Sequence, residues 1–210
     1  MNNNKNTLLK IENLGKIYHD ENSETTAIEE ININVLDKEF ISIVGPSGCG
    51  KSTLLSILSG LEKKSKGNIK FNENLKIGYM LQKDSLFPWR TVLENCLIGL
   101  EITNCLNSES KQRVLNLLKI YGLKDFIHKY PDSLSGGMKQ RVALIRTLAT
   151  DPDILLLDEP FSALDYQTRL ALSDDVFKII KGEGKTAIMV THDLAEVMYK
   201  KSITVFFNYL

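Results

Sequence analysis

The chain has 210 residues, 43% of them apolar, with 26 basic and 26 acidic side chains. That length holds one large domain, or one domain with an inserted lobe, and enough apolar residues for a core. Balanced charge without a dense basic run argues against a nucleic-acid partner, and no apolar stretch approaches the roughly 20 residues that span a bilayer.

The opening Met1-Asn2-Asn3-Asn4-Lys5-Asn6 is polar, so no signal peptide is expected. Residues 8–12 and 31–35 alternate apolar and polar, the pattern of a half-exposed antiparallel sheet. Phe40-Ile41-Ser42-Ile43-Val44 reads as a buried strand running into Gly45-Pro46-Ser47-Gly48-Cys49-Gly50-Lys51-Ser52-Thr53, a complete G-x-x-x-x-G-K-[ST] loop. Glycines in such a loop let successive N–H groups turn inward as an anion nest. The helix that follows adds its positive end, Lys51 reaches the β- and γ-phosphates, and Ser52 holds Mg²⁺. Residues 52–61 are predicted to form that helix, with Leu54, Leu55, Leu58 and Leu61 on one face. A second apolar run, residues 77–81, ends at Gln82.

From about residue 86 to 149 the pattern is helical and predicts a lobe inserted in the core. Leu115, Leu118 and Tyr121 fall at helical spacing, with Asn107 or Ser108 to cap the start and Gly122 the end. Within it lies Leu134-Ser135-Gly136-Gly137-Met138-Lys139-Gln140-Arg141, opening a helix expected over about 138–149. A helix N-terminus with a hydroxyl and two unhindered amides suits a γ-phosphate. Two short apolar runs follow: Ile154-Leu155-Leu156-Leu157 ends at Asp158-Glu159, and residues 187–190 end at Thr191-His192. Strands alternating with helices predict an α/β fold with a mainly parallel core sheet. Ligands in such sheets gather beyond the carboxyl ends of the strands, where these motifs fall.

The phosphate-binding loop, the Leu134–Arg141 stretch and the run ending in Asp158-Glu159, in this order, resemble the ATP-binding cassette (ABC) ATPases over about residues 8–192. The resemblance implies a single domain, 1–210, with a P-loop NTPase core, an N-terminal antiparallel β subdomain and the inserted helical lobe. It implies ATP held by the Walker A loop, Gly45 to Thr53, with Mg²⁺ at Ser52, Gln82 and Asp158. Glu159 then polarises the attacking water as general base, and His192 is the switch histidine at the γ-phosphate. Tyr18 stacks on adenine; a tyrosine there equally suits a core. Pro160-Phe161-Ser162-Ala163-Leu164-Asp165 looks like the D-loop, with Asp165 at a dimer seam. The signature Ser135, Gly136 and Gly137 faces the ATP of a second cassette, so function implies a head-to-tail pair with two ATP molecules. Cys49, Cys96 and Cys105 have no metal-ligand spacing and fit a reducing cytoplasm. Cys49 reads as a small residue at a variable loop position rather than a redox sensor.

After Gln82, the element Leu86-Phe87-Pro88-Trp89 resembles the importer ATPases for nitrate, sulfonate, taurine and thiamine precursors. In that reading the chain powers uptake through a separate permease and, indirectly, a substrate-binding protein, at the cytoplasmic face of the membrane. Trp89 then faces the permease; the alternative is a core aromatic of the lobe. Two rivals to the whole reading are a non-transport ABC ATPase and a module that clamps ATP with little turnover. The first carries long coiled-coil insertions or fused cassettes, absent here; Glu159 and His192 argue against the second. One departure stands out. The sequence from Met198 to Ser202 breaks the family pattern, and the usual C-terminal helices do not follow the strand expected over 203–210.

Overall fold

A computed structural model describes residues 6–20, 23–72, 74–162, 164–193 and 203–207. Residues 198–202 and 208–210, and Ala163, lie outside these. Two long strands, β1 (Thr7–Asp20) and β2 (Ser23–Leu36), pair antiparallel with Ile11 opposite Ile33. The expected alternation holds at Leu9 and Ile11, yet Leu8 is also buried, because the register shifts between Thr7 and Leu9. On the other side of β1 lies β4 (Lys66–Phe71), completing a three-stranded antiparallel sheet.

The second sheet is parallel and has five strands. Its order is β5 (Ile77–Met80), β6 (Ile154–Asp158), β7 (Thr186–Thr191), β3 (Phe40–Val44) and β8 (Ile203–Phe206). Strand side chains alternate between faces, so each strand feeds two cores. Leu155, Leu157 and Met189 pack with the helical lobe; Leu156, Ile188 and Ile43 pack with helix α1 (Lys51–Leu58) and the antiparallel sheet. Burial on both faces explains why these strands read as unbroken apolar runs.

Between β5 and β6 the chain forms α2 (Val92–Ile102), α3 (Ser108–Ile120) and α4 (Gly136–Ala149). Each start is chemically marked. Thr91 with Glu94 and Asn107 with Ser110 form reciprocal capping boxes. At the end of α3, Gly122 takes φ +75°, its N–H reaches the Lys119 carbonyl, and Leu123 N–H reaches that of Leu118. This is a Schellman closure, with buried Leu118 and Leu123 completing it. The buried face of α3 is Val114, Leu117 and Leu118, with Tyr121 packed against it; of the expected set Leu118 and Tyr121 hold, while Leu115 is only half-buried. Helix α1 likewise stops sooner than expected. Gly60 adopts φ +80°, ending the helical path, so Leu61 is exposed and Ile57 joins the core instead. The last helix among the described residues, α5 (Tyr166–Gly182), joins β6 to β7.

Candidate nucleotide-binding site

The loop from Gly45 to Gly50 leaves the end of β3 and enters α1 through two left-handed glycines, Gly48 at φ +84° and Gly50 at φ +92°. No side chain fits at Gly50, because an added Cβ would lie 2.1 Å from the Ala27 carbonyl oxygen of β2. Gly45 is pinned as well: a Cβ there would meet the Phe207 carbonyl at 2.5 Å and Cys49 Sγ at 2.7 Å. Lys51 is buried, and its Nζ donates to the Gly45 and Pro46 carbonyls, both at 2.8 Å. Thus its ammonium lies inside the curl of the loop. An open cavity of about 450 Å³ stands over it, lined by Ser47, Gly48, Gly50, Lys51, Ser52, Thr53, Tyr18, Gln82 and Glu159.

Ser52 Oγ donates to Asp158 Oδ1 at 2.8 Å, and Tyr79 Oη donates to Asp158 Oδ2 at 3.1 Å. Burial holds the Asp158 carboxyl above its ordinary range, against the pull of these two hydrogen bonds. Burial and the Asp158 charge push the Tyr79 phenol up to about 12. A nearby divalent cation would favour the carboxylate. The donor set fits Mg²⁺: a hydroxyl and a carboxylate, both hard oxygens, side by side at the edge of the phosphate loop. Among the described residues no three His, Cys, Asp or Glu side chains group to hold a metal by themselves. Mg²⁺ takes one or two protein oxygens and leaves the rest to phosphates and water.

Glu159 is the next residue, and it turns the chain at φ +41°, a left-handed conformation costly for a residue with a Cβ. Its carboxylate collects three partners. Lys51 Nζ is 3.8 Å from Oε1, while Gln82 Nε2 at 3.3 Å and His192 Nδ1 at 3.1 Å meet Oε2. Gln82 also donates to Ser162 Oγ at 3.3 Å. The ends of β3, β5, β6 and β7 therefore converge on one carboxylate beside one phosphate loop.

The signature stretch stands apart. Ser135 caps α4, its Oγ accepting from Met138 N–H, and Ser135 and Gly136 are exposed. None of Ser135, Gly136 and Gly137 lines the cavity over Lys51. Leu164 presses on this turn, since a Cβ on Gly136 would lie 2.9 Å from its Cδ2. Asp165 has a local task of its own, accepting from Thr168 N–H as the N-cap of α5.

The ABC transporter family profile matches residues 28–162. The chain belongs to the ABC transporter family. It is 48% identical over 198 residues to the ABC transporter ATP-binding protein YtlC of Bacillus subtilis, covering 91% of this chain and 76% of that one. It is 41% identical over 190 residues to the aliphatic sulfonates import ATP-binding protein SsuB of the same organism, covering 88% and 73%. Its fold matches the dimeric ABC transporter cassette MJ0796 with a TM-score of 0.80 at 32% identity, covering 96% of this chain and 94% of that one. The dimer of MJ0796 in a post-hydrolysis state with ADP and Pi matches at 0.79, 32% identical, covering 95% and 94%. The mainly parallel P-loop NTPase fold of an ABC ATPase cassette is thereby shown.

Several residues of this ABC cassette escape a reading by motif. Asn95, fully buried on α2, accepts from Phe87 N–H and donates to the Phe87, Arg90 and Thr91 carbonyls. It fastens the loop that carries Trp89, a residue 71% exposed with its ring tilted against Phe87. Trp89 is therefore a surface aromatic, not a core one. Arg146 of α4 grips the same loop at the Asp84 and Ser85 carbonyls. Arg169 of α5 bonds both the Leu164 carbonyl and Asp193, the neighbour of His192. A polar residue inside the apolar face of α2 was the one signal available for Asn95.

Proposed function

We propose that this chain is the ATP-hydrolysing subunit of a membrane importer, working as a head-to-tail pair of cassettes with two ATP molecules in the seam. The observation that carries the reading is the convergence of Lys51, Gln82 and His192 on the Glu159 carboxylate. The loop from Gly45 to Thr53 wraps the phosphates with backbone N–H groups, and Lys51 turns from the loop carbonyls to the β- and γ-phosphates. Ser52 and Asp158, with Gln82, would hold Mg²⁺, which would supply positive charge to the phosphoryl groups. Glu159 accepts the proton of the attacking water, while His192 and Gln82 orient its carboxylate and the γ-phosphate. Tyr18 receives the adenine ring.

Ser135, Gly136 and Gly137 supply the far side of the γ-phosphate to the partner cassette, with Asp165 at the seam. Their separation from the cavity of their own chain, and the dimeric form of MJ0796, support action in trans. Importer relatives such as SsuB support the direction of transport, with a separate permease and binding protein and a seat at the cytoplasmic face of the membrane. No helix among the described residues is long and apolar enough to cross a membrane. Exposed Trp89, on a loop fastened at several points, is the surface offered to the permease. The test is ATP hydrolysis with and without the co-reconstituted permease. Stimulation that falls on Trp89→Ala, with basal hydrolysis kept, supports the reading; hydrolysis indifferent to permease overturns it.

A further inference from the structure

Lys16 occupies an odd place for an ammonium group. It lies on β1 two positions before Tyr18, and only 8% of it is exposed. Its Nζ donates to Glu62 Oε1 at 2.6 Å and to the Lys63 carbonyl at 2.8 Å, and stands 4.6 Å from the centroid of the Tyr18 ring. Lysines normally keep their charge in water and bury only the stem. Here the charge itself is turned inward and seated against an aromatic ring.

Glu62 and Lys63 follow α1, the helix that springs from the phosphate loop. The same segment is stitched to β1 again by Ser65, which accepts from Ile17 N–H at 3.0 Å and whose own N–H reaches the Gly15 carbonyl at 2.9 Å. Lys16 thus joins three things: the ring that lines the cavity, the strand carrying it, and the segment behind the phosphate loop. A cation over an aromatic ring is attracted by the ring quadrupole, which both fixes the ring and draws its π density to the cation. The ring becomes a better partner for an offset, electron-rich purine.

We propose that Lys16 is a positioning residue for the nucleobase. Acting through Tyr18, it sets the height of the ring above the phosphate loop and polarises it for stacking with adenine. The inference rests on the reading that Tyr18 receives the base. Lys16 itself does not line the cavity, so it acts on a nucleotide only through that ring.

The experiment compares binding of Mg²⁺-ATP and Mg²⁺-tripolyphosphate to the full chain by titration calorimetry. The variants are Lys16→Met, Lys16→Arg, Tyr18→Leu and the Lys16→Met/Tyr18→Leu pair. Lys16→Met is expected to weaken ATP roughly three- to tenfold and to leave tripolyphosphate unchanged. Lys16→Arg restores ATP binding, and Lys16→Met adds no loss in the Tyr18→Leu background. Equal losses for both ligands, or a full Lys16→Met loss without the Tyr18 ring, would make Lys16 a structural residue and overturn the proposal. If Tyr18→Leu weakens ATP and Lys16→Met does not, only the role of Lys16 falls. If Tyr18→Leu binds ATP normally, the base-stacking reading falls and takes the proposal with it. Should Lys16→Met fail to fold, Glu62→Gln loosens the same anchor. A smaller ATP-selective loss is then expected, and its absence overturns the proposal.

Discussion

His192 Nδ1 stands 3.1 Å from Glu159 Oε2, the same oxygen that accepts from Gln82 Nε2. These three residues come from the ends of three neighbouring parallel strands, so the sheet order brings them together. Glu159 reaches this position through a left-handed backbone turn that an ordinary strand end would not adopt. Non-glycine residues in that region cost of order 1–3 kcal/mol, and such strain collects where geometry serves function. The carboxylate is half-buried and bracketed by a cation, an amide and an imidazole, so it is held in one place as the proposed general base requires.

Lys51 and Ser135 should separate binding from pairing. Lys51→Ala removes a charge-assisted contact worth roughly 1.5–3 kcal/mol, raising the Kd for ATP about 10- to 150-fold. Ser135→Arg leaves affinity in the monomer close to wild type and abolishes the ATP-dependent dimer. Calorimetry and size-exclusion light scattering read the two effects. Equal affinity losses would mean that both loops serve one nucleotide within one chain.

Asp158 should trade stability for function. Its folded pKa lies above the ordinary 3.8 because of burial. Between those two values the folded chain keeps a proton that the unfolded chain has lost, so stability falls as pH rises through that window. Above it the carboxylate stays charged at a cost. Asp158→Asn should therefore melt above wild type at pH 7, with the gap closing as the pH falls towards 3.8, while Mg²⁺-dependent hydrolysis is lost. A variant less stable than wild type at pH 7 would show that the Ser52 and Tyr79 bonds outweigh desolvation.

Asn95→Ala should free the loop that carries Trp89. It leaves the Phe87 N–H and three carbonyls without their side-chain partner, a loss of about 1–3 kcal/mol. Trp89 is the one tryptophan of the chain, so its fluorescence reports directly. Lower anisotropy with basal hydrolysis retained is expected; an unchanged anisotropy would show that Arg146 and Phe87 suffice to hold the loop.

Neighbouring phenylalanines at the edge strand should behave oppositely. Phe207 is buried, its N–H bonds the Val44 carbonyl at 2.7 Å, and its backbone abuts Gly45. Phe206 is 65% exposed. Phe207→Ala should cost about 3–5 kcal/mol in denaturant unfolding, and Phe206→Ser within about 0.5 kcal/mol. Phe206→Ser should also reduce association between chains, since an exposed apolar side chain on an edge strand invites it. Equal destabilisation by both would mean that the other face of β8 is covered too.

Much of the phosphate-binding machinery was legible because chemistry restricts its residue types. Only glycine suits Gly48 and Gly50, only a long cation suits Lys51, and the apolar runs announce strands buried on both faces. Caps at Asn107 and Gly122 were legible for the same reason: each is a local hydrogen-bonding solution. What escaped was set by partners distant in sequence. Lys16 needs Glu62 and Lys63, Asp158 needs Tyr79, Arg146 needs the carbonyls of residues 84 and 85, and Arg169 needs Asp193. Periodicity also misjudged the faces of short helices. Leu61 fitted the spacing of α1 but lay past Gly60, and in α3 Leu118 and Tyr121 face the core as expected while Val114 and Leu117 take the place given to Leu115. At the last strand, Val205 and Phe207 pack into the core while Phe206 is exposed.

The most direct test of the central claim is Glu159→Gln, with steady-state ATP hydrolysis and the ATP-dependent dimer measured on the same preparation. The amide keeps the shape and the contacts to Gln82 and His192 but cannot take a proton from water. The account predicts ATP binding within about twofold of wild type, hydrolysis reduced to background, and a dimer that accumulates with ATP because the seam is not cleaved. Hydrolysis at the wild-type rate in Glu159→Gln would contradict it.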